Sequence, residues 1–127
     1  MHTYETVLRL GQTDSAGIAY YASVFDIIHE CYESFLDIAA ILKEGKYLIP
    51  IVHAEADYRA VMELSDRITV EMSLEGTGRS SFTLVYRLTS QRGEVTAEAK
   101  TVHSVVDSNS GKSIEIPDSI RDRIGEL

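Results

Sequence analysis

The hydrophobic period changes once along this chain, near Pro50, and that change restricts the fold more than any other feature. Before Pro50, Val24, Ile28, Cys31, Phe35, Ile38 and Leu42 recur at intervals of four, three, four, three and four residues. This spacing is one face of an α-helix, and Phe25, Ile27, Tyr32, Leu36 and Ala39 widen it. The pattern predicts one long helix over 20–43, apolar around so much of its circumference that other elements must wrap it. After Pro50 the period is two. Ile68, Val70, Met72 and Leu74 alternate with Thr69, Glu71, Ser73 and Glu75, and Phe82, Leu84, Tyr86 and Leu88 alternate with Thr83, Val85, Arg87 and Thr89. Both read as half-buried strands, joined by a turn at Gly76-Thr77-Gly78.

Further strands are predicted over 3–11, with Tyr4, Thr6, Leu8 and Leu10 on one face, over 51–62, and over 94–107. Pro117 is placed to open a short terminal helix. The order is one strand, one apolar helix, then four strands with tight turns. That implies an α+β class: an antiparallel five-stranded sheet wrapped around one long central helix.

Composition narrows the function classes. A length of 127 residues suits a single domain spanning 1–127. The formal charge of −8, with no like-charge run longer than two, disfavours nucleic acid as a partner. No tract is long and apolar enough to predict a membrane span. The opening MHTYETVLRL lacks the basic and apolar regions of a secretory signal. Cys31 is the single cysteine, so neither an intrachain disulfide nor a thiol-pair zinc site is expected, and a reducing cytoplasm is the natural setting. His29, His53 and His103 fall on different predicted elements, so no metal site is expected.

The segment Gln12-Thr13-Asp14-Ser15-Ala16-Gly17-Ile18-Ala19-Tyr20-Tyr21 carries the candidate chemistry. An aspartate in a glycine-bearing turn ahead of a helix commonly holds free backbone N–H groups, as a turn or capping residue. It can also be a reactive carboxylate beside a helix N-terminus, whose unpaired donors and partial positive charge polarise a carbonyl and stabilise its oxyanion. These two parts suffice for thioester hydrolysis, because the thiolate leaves readily.

Thr13-Asp14-Ser15-Ala16-Gly17-Ile18-Ala19-Tyr20-Tyr21 resembles the signature of the 4-hydroxybenzoyl-CoA thioesterase family: Asp, two small residues, Gly, two apolar residues, then aromatics opening the central helix. The resemblance runs from Tyr4 to about Asp107. It implies the hotdog fold, with Asp14 as nucleophile or general base and the Tyr21 backbone N–H directed at the thioester oxygen. Gly17 would lie against the substrate. No cofactor is implied, since both chemical roles are filled.

Many members of that family carry an acidic residue fifteen positions after the aspartate; here that position is His29. The run His29-Glu30-Cys31-Tyr32-Glu33, with Ile49 to Tyr58, resembles the branch acting on 1,4-dihydroxy-2-naphthoyl-CoA in phylloquinone and menaquinone synthesis. His29 would then donate to a hydroxyl of the aromatic acyl group, with Glu30 beside it. Alternatively, His29 is a hydrogen-bonded core or interface residue and Glu30 part of a solvated face. Arg79-Ser80-Ser81 resembles the family's CoA-side strand, where a guanidinium and hydroxyls suit pantetheine and phosphate; an ordinary hairpin is the alternative. Competing functions are an aliphatic acyl-CoA or acyl-carrier-protein thioesterase, a dehydratase, and a non-hydrolytic acyl-CoA-binding module. The resemblance also implies a homodimer or homotetramer, with sheets joined edge to edge.

Overall fold

The computed structural model describes residues 1–127. Strand β1 (His2–Val7) leads through an irregular segment to helix α1 (Ser23–Phe35) and then α2 (Ile38–Glu44). Six strands and a helix follow: β2 (Tyr47–Leu48), β3 (Ile51–Tyr58), β4 (Arg67–Thr77), β5 (Ser81–Ser90), β6 (Val95–Ser104), β7 (Val106–Asp107) and α3 (Asp118–Ile124). The main sheet is five-stranded, in the order β1-β4-β5-β6-β3, and every pairing is antiparallel. β2 and β7 make a separate two-stranded ladder.

Alternation sets the faces as the sequence implies. Ile68, Val70 and Met72 of β4 and Phe82, Leu84, Tyr86 and Leu88 of β5 are buried, while their neighbours face outward. α1 fills the concave side with Val24, Ile27, Ile28, Cys31, Tyr32 and Phe35.

The helical segment departs from expectation. It is two helices, broken at Leu36 and Asp37. Leu36 is extended, with φ −94° and ψ 132°, and the Asp37 side chain caps α2 by accepting from the Ala40 N–H at 3.1 Å. The Phe35 carbonyl at the end of α1, left without an intrahelical partner, accepts from Arg123 of α3, through Nε at 3.2 Å and Nη2 at 3.0 Å. The guanidinium lies 3.9 Å above the Phe35 ring. A cap and a distant cation thus replace the continuing helical bonds. Beyond the break the face loses its burial: Leu42 is exposed and Ile38 only half-buried.

β1 also stops short of 11. It ends at Val7, and the chain turns into a 3₁₀ segment, Leu10–Gln12, where Leu10 is exposed. β3 ends at Tyr58, and the strand foreseen over 94–107 divides at Val105. Pro117 precedes α3, as its fixed φ favours.

Candidate active site

The segment 13–22 is pinned from two sides. The Ser23 hydroxyl and the Tyr20 N–H both donate to the Gln12 carbonyl, at 2.6 and 3.2 Å, closing the loop against the first turn of α1. Ala19 N–H donates to Met62 O and Leu64 N–H to Gly17 O, at 2.8 and 3.0 Å, tying it to the segment before β4. Gly17 has φ +75°, a left-handed conformation that a side chain would strain.

Asp14 is exposed at the head of this loop. Its Oδ1 accepts from the Ala16 N–H at 2.8 Å and its carbonyl from the Gly17 N–H at 3.1 Å. Half of the carboxylate is therefore a turn-forming acceptor, while Oδ2 has no protein partner. Asp14 does not cap α1. The N-cap is Ala22, with no side-chain cap, and the N–H groups of Tyr21 and Ala22 have no acceptor. Tyr21 is held by its carbonyl, which accepts from the Tyr58 hydroxyl at 2.6 Å. Its own side chain is exposed. Loop and helix thus offer a free carboxylate oxygen and free backbone donors, linked by seven residues.

Beneath α1 lies a cavity of about 560 Å³, within the range that takes small organic ligands. Gln12, His29, Glu30, Tyr32, Tyr86 and His103 are among the residues that line it. His29 is exposed, its ring 6.0 Å from that of Tyr32. Glu30 is partly engaged, accepting from the Tyr4 hydroxyl at 3.0 Å. An apolar groove of about 570 Å³ adjoins the cavity, bordered by Ile38, Ile41, Leu42 and Leu48 and sharing His29 and Tyr32 with it.

The sequence pattern does not single out Tyr32, Tyr86, Thr101 and His103, which line this cavity. Each occupies an inward position of its helix or strand, where a sequence pattern reads only core. The available signal was polarity: Thr101 and His103 continue the inward register of Ala97 and Ala99. Cys31 is buried, and desolvation pushes its thiol up to about 12, so it is no nucleophile at neutral pH.

Arg79, Ser80 and Ser81 lie elsewhere. Ser81 pairs with Ser104 at one end of β6, whereas Tyr58, which touches Tyr21, pairs with Ala97 near the other. Seven residues of strand, roughly 23 Å, separate the two ends. The Arg79 side chain has no hydrogen-bond or ion-pair partner, and its carbonyl accepts from the Ile116 N–H at 2.8 Å. Within one chain, Asp14 and the Arg79 turn do not share a pocket.

Asp66 secures the loop that pins Gly17. Its carboxylate accepts from Arg92 Nη1 and Nη2 at 2.9 and 2.7 Å, from Gln91 Nε2 at 3.0 Å and from the Glu63 N–H at 2.8 Å. The hydrogen bonds from Arg92 are the main reason its pKa lies well below the ordinary carboxylate value. A depressed folded-state pKa stabilises the fold above the unfolded value near 4, and that stability is lost as pH falls toward the folded value. Asp66→Asn is expected to cost about 2 kcal/mol at pH 7. Urea unfolding checks this: the gap between wild type and variant narrows at pH 3.

The thioesterase-like superfamily profile matches residues 8–124. A 1,4-dihydroxy-2-naphthoyl-CoA hydrolase of Synechococcus elongatus is 32% identical over 127 residues, covering 95% of this chain and 93% of its own. One from Nostoc punctiforme is 34% identical over 123 residues, covering 93% of this chain and 82% of its own. The crystal structure of a 1,4-dihydroxy-2-naphthoyl-CoA thioesterase from Synechocystis superposes with a TM-score of 0.92 at 27% identity, over 99% of this chain and 96% of that one. A gentisyl-coenzyme A thioesterase gives 0.84 at 25% identity, over 96% and 98%. The architecture is the hotdog fold, with the central helix broken at Leu36. By profile, by near-full-length relatives and by fold, this chain belongs to the thioesterase-like superfamily.

Proposed function

We propose that this protein hydrolyses 1,4-dihydroxy-2-naphthoyl-CoA to the free acid and CoA, as a cytoplasmic step of phylloquinone or menaquinone synthesis. One observation carries the chemistry: the partner-free Oδ2 of Asp14 and the uncapped start of α1 belong to one pinned segment. The thioester oxygen would sit against the N–H groups of Tyr21 and Ala22, which stabilise it as negative charge develops. Asp14 would act by one of two routes. As nucleophile it attacks the carbonyl carbon, expels CoA thiolate and leaves a mixed anhydride that water cleaves. As general base it takes a proton from the attacking water instead. Neither route needs a cofactor.

The whole chain would act as one domain, and two copies would complete the site. β3 is an edge strand with Ile51, Val52 and Tyr58 exposed. Antiparallel pairing of two β3 edges would bring the Arg79-Ser80-Ser81 end of one subunit toward the Asp14 end of the other. CoA would then be held by Arg79 and the two serines, and the acyl group by Gly17, His29 and Glu30.

The test is incubation with 1,4-dihydroxy-2-naphthoyl-CoA. Free thiol and the naphthoic acid are expected in equal amounts at an enzymic rate. No release above the buffer rate would refute the proposal.

A further inference from the structure

Four polar side chains from three elements meet on the floor of the cavity: Tyr32 from α1, Tyr86 from β5, and Thr101 and His103 from β6. His103 has no exposed surface, and Tyr32 retains only 3%. The His103 ring stacks on Phe82 at 4.9 Å, with 3° between planes, and lies 4.5 Å from the Tyr32 ring. Its Nε2 is 2.7 Å from Thr101 Oγ1, which is 3.0 Å from the Tyr86 hydroxyl.

Thr101 has one hydroxyl proton, so the chain of bonds runs in one of two directions. If Thr101 donates to Nε2, His103 carries its proton on Nδ1. If Nε2 donates to Thr101, Nδ1 is a bare acceptor. In both cases Nδ1 has no partner, and neither does the Tyr32 hydroxyl. Burial, with the neighbouring His29, lowers the His103 pKa to about 4, so at neutral pH the ring is uncharged. Buried polar atoms normally find partners. The two orphans belong to residues that line one cavity, where a polar ligand group could satisfy them.

We propose that Tyr32 and His103 form the polar end of the acyl subsite, where the Tyr32 hydroxyl and His103 Nδ1 bind a ring hydroxyl of the acyl group. This rests on the hydroxyaromatic acyl-CoA reading above and assigns its specificity to residues other than His29. Both atoms are buried just beneath the cavity surface. A rotation of the Tyr32 ring, which borders both the cavity and the groove, would bring them to the ligand.

The discriminating variant is Tyr32→Phe, which removes only the orphan hydroxyl and preserves ring packing. Wild type is expected to favour 1,4-dihydroxy-2-naphthoyl-CoA over 2-naphthoyl-CoA in kcat/KM. Tyr32→Phe should lower the first value about tenfold or more and leave the second within about threefold. An equal loss on both substrates, or an unchanged ratio, overturns the proposal. Binding of the free acids, read by naphthoate fluorescence and by calorimetry for 4-hydroxybenzoate against benzoate, separates this proposal from the substrate reading. If no naphthoyl thioester is hydrolysed, the substrate reading fails. The subsite stands only if the hydroxylated acids still bind more tightly to wild type and lose that advantage in Tyr32→Phe. No such advantage in either pair overturns it.

Discussion

Asp14→Asn is expected to lower kcat for thioester hydrolysis by about 10³-fold or more, with the melting temperature nearly unchanged. The two halves of the expectation come from the two carboxylate oxygens. Oδ1 accepts the Ala16 N–H, and an asparagine carbonyl oxygen accepts the same bond, so the turn and the Gly17 conformation survive. Oδ2 has no protein partner, and what the substitution removes there is the negative charge proposed to attack carbon or take a proton from water. Amide nitrogen does neither. Tyr21→Phe is the control. The Tyr21 hydroxyl bonds to nothing in the protein, and the proposed contribution of that residue is its backbone N–H, so activity should remain within about twofold. Free-thiol release and thermal circular dichroism measure both variants.

The second large effect is expected at the β3 edge. Arg59 N–H donates to Thr96 O at 2.9 Å, and from there the register alternates along β6. Residues 53, 55 and 57 exchange bonds with β6, so the N–H groups of Ala54, Ala56 and Tyr58 point outward. Ala54→Pro removes an outward donor without touching the β6 ladder, and proline is tolerated on a free edge. Wild type should run at two or four times the 14.1 kDa chain mass by light scattering. Ala54→Pro should run at the chain mass and lose activity at least 100-fold, because Asp14 and the Arg79 turn lie at opposite ends of one sheet. A folded, fully active monomer would show that one chain suffices.

Much of the fold was legible because it rests on period. The alternation of Ile68–Leu74 and Phe82–Leu88 fixed which faces of β4 and β5 meet α1, and the tight turns implied antiparallel order. The helix break was not legible, because its cause is tertiary. The apolar spacing runs straight through Leu36, while the Phe35 carbonyl is satisfied by Arg123, 88 positions away. Only Asp37, a cap residue ahead of Ile38, hinted at a second start. Leu10 misled for a similar reason, since alternation cannot register that the strand has already ended.

The candidate site divides the same way. Asp14, Gly17 and Tyr21 form a local pattern, and their loop needs few outside contacts to be read. Turn-forming and reactive roles for Asp14 looked like alternatives in sequence, whereas the structure gives Oδ1 the first and leaves Oδ2 open. Tyr32, Tyr86, Thr101 and His103 converge from three elements, and each alone passes for core. Arg79 is linked to Asp14 only by resemblance, and the sheet register puts the Arg79 turn at the far end of β6 from Tyr58 and Tyr21.

The activity proposed for this chain is hydrolysis of a hydroxylated aromatic thioester. The most direct test compares kcat/KM across 1,4-dihydroxy-2-naphthoyl-CoA, benzoyl-CoA and a series of aliphatic acyl-CoAs, by release of free thiol. The naphthoyl thioester is expected to exceed every other substrate by at least about tenfold. Equal rates throughout, or a preference for an aliphatic chain, would contradict it.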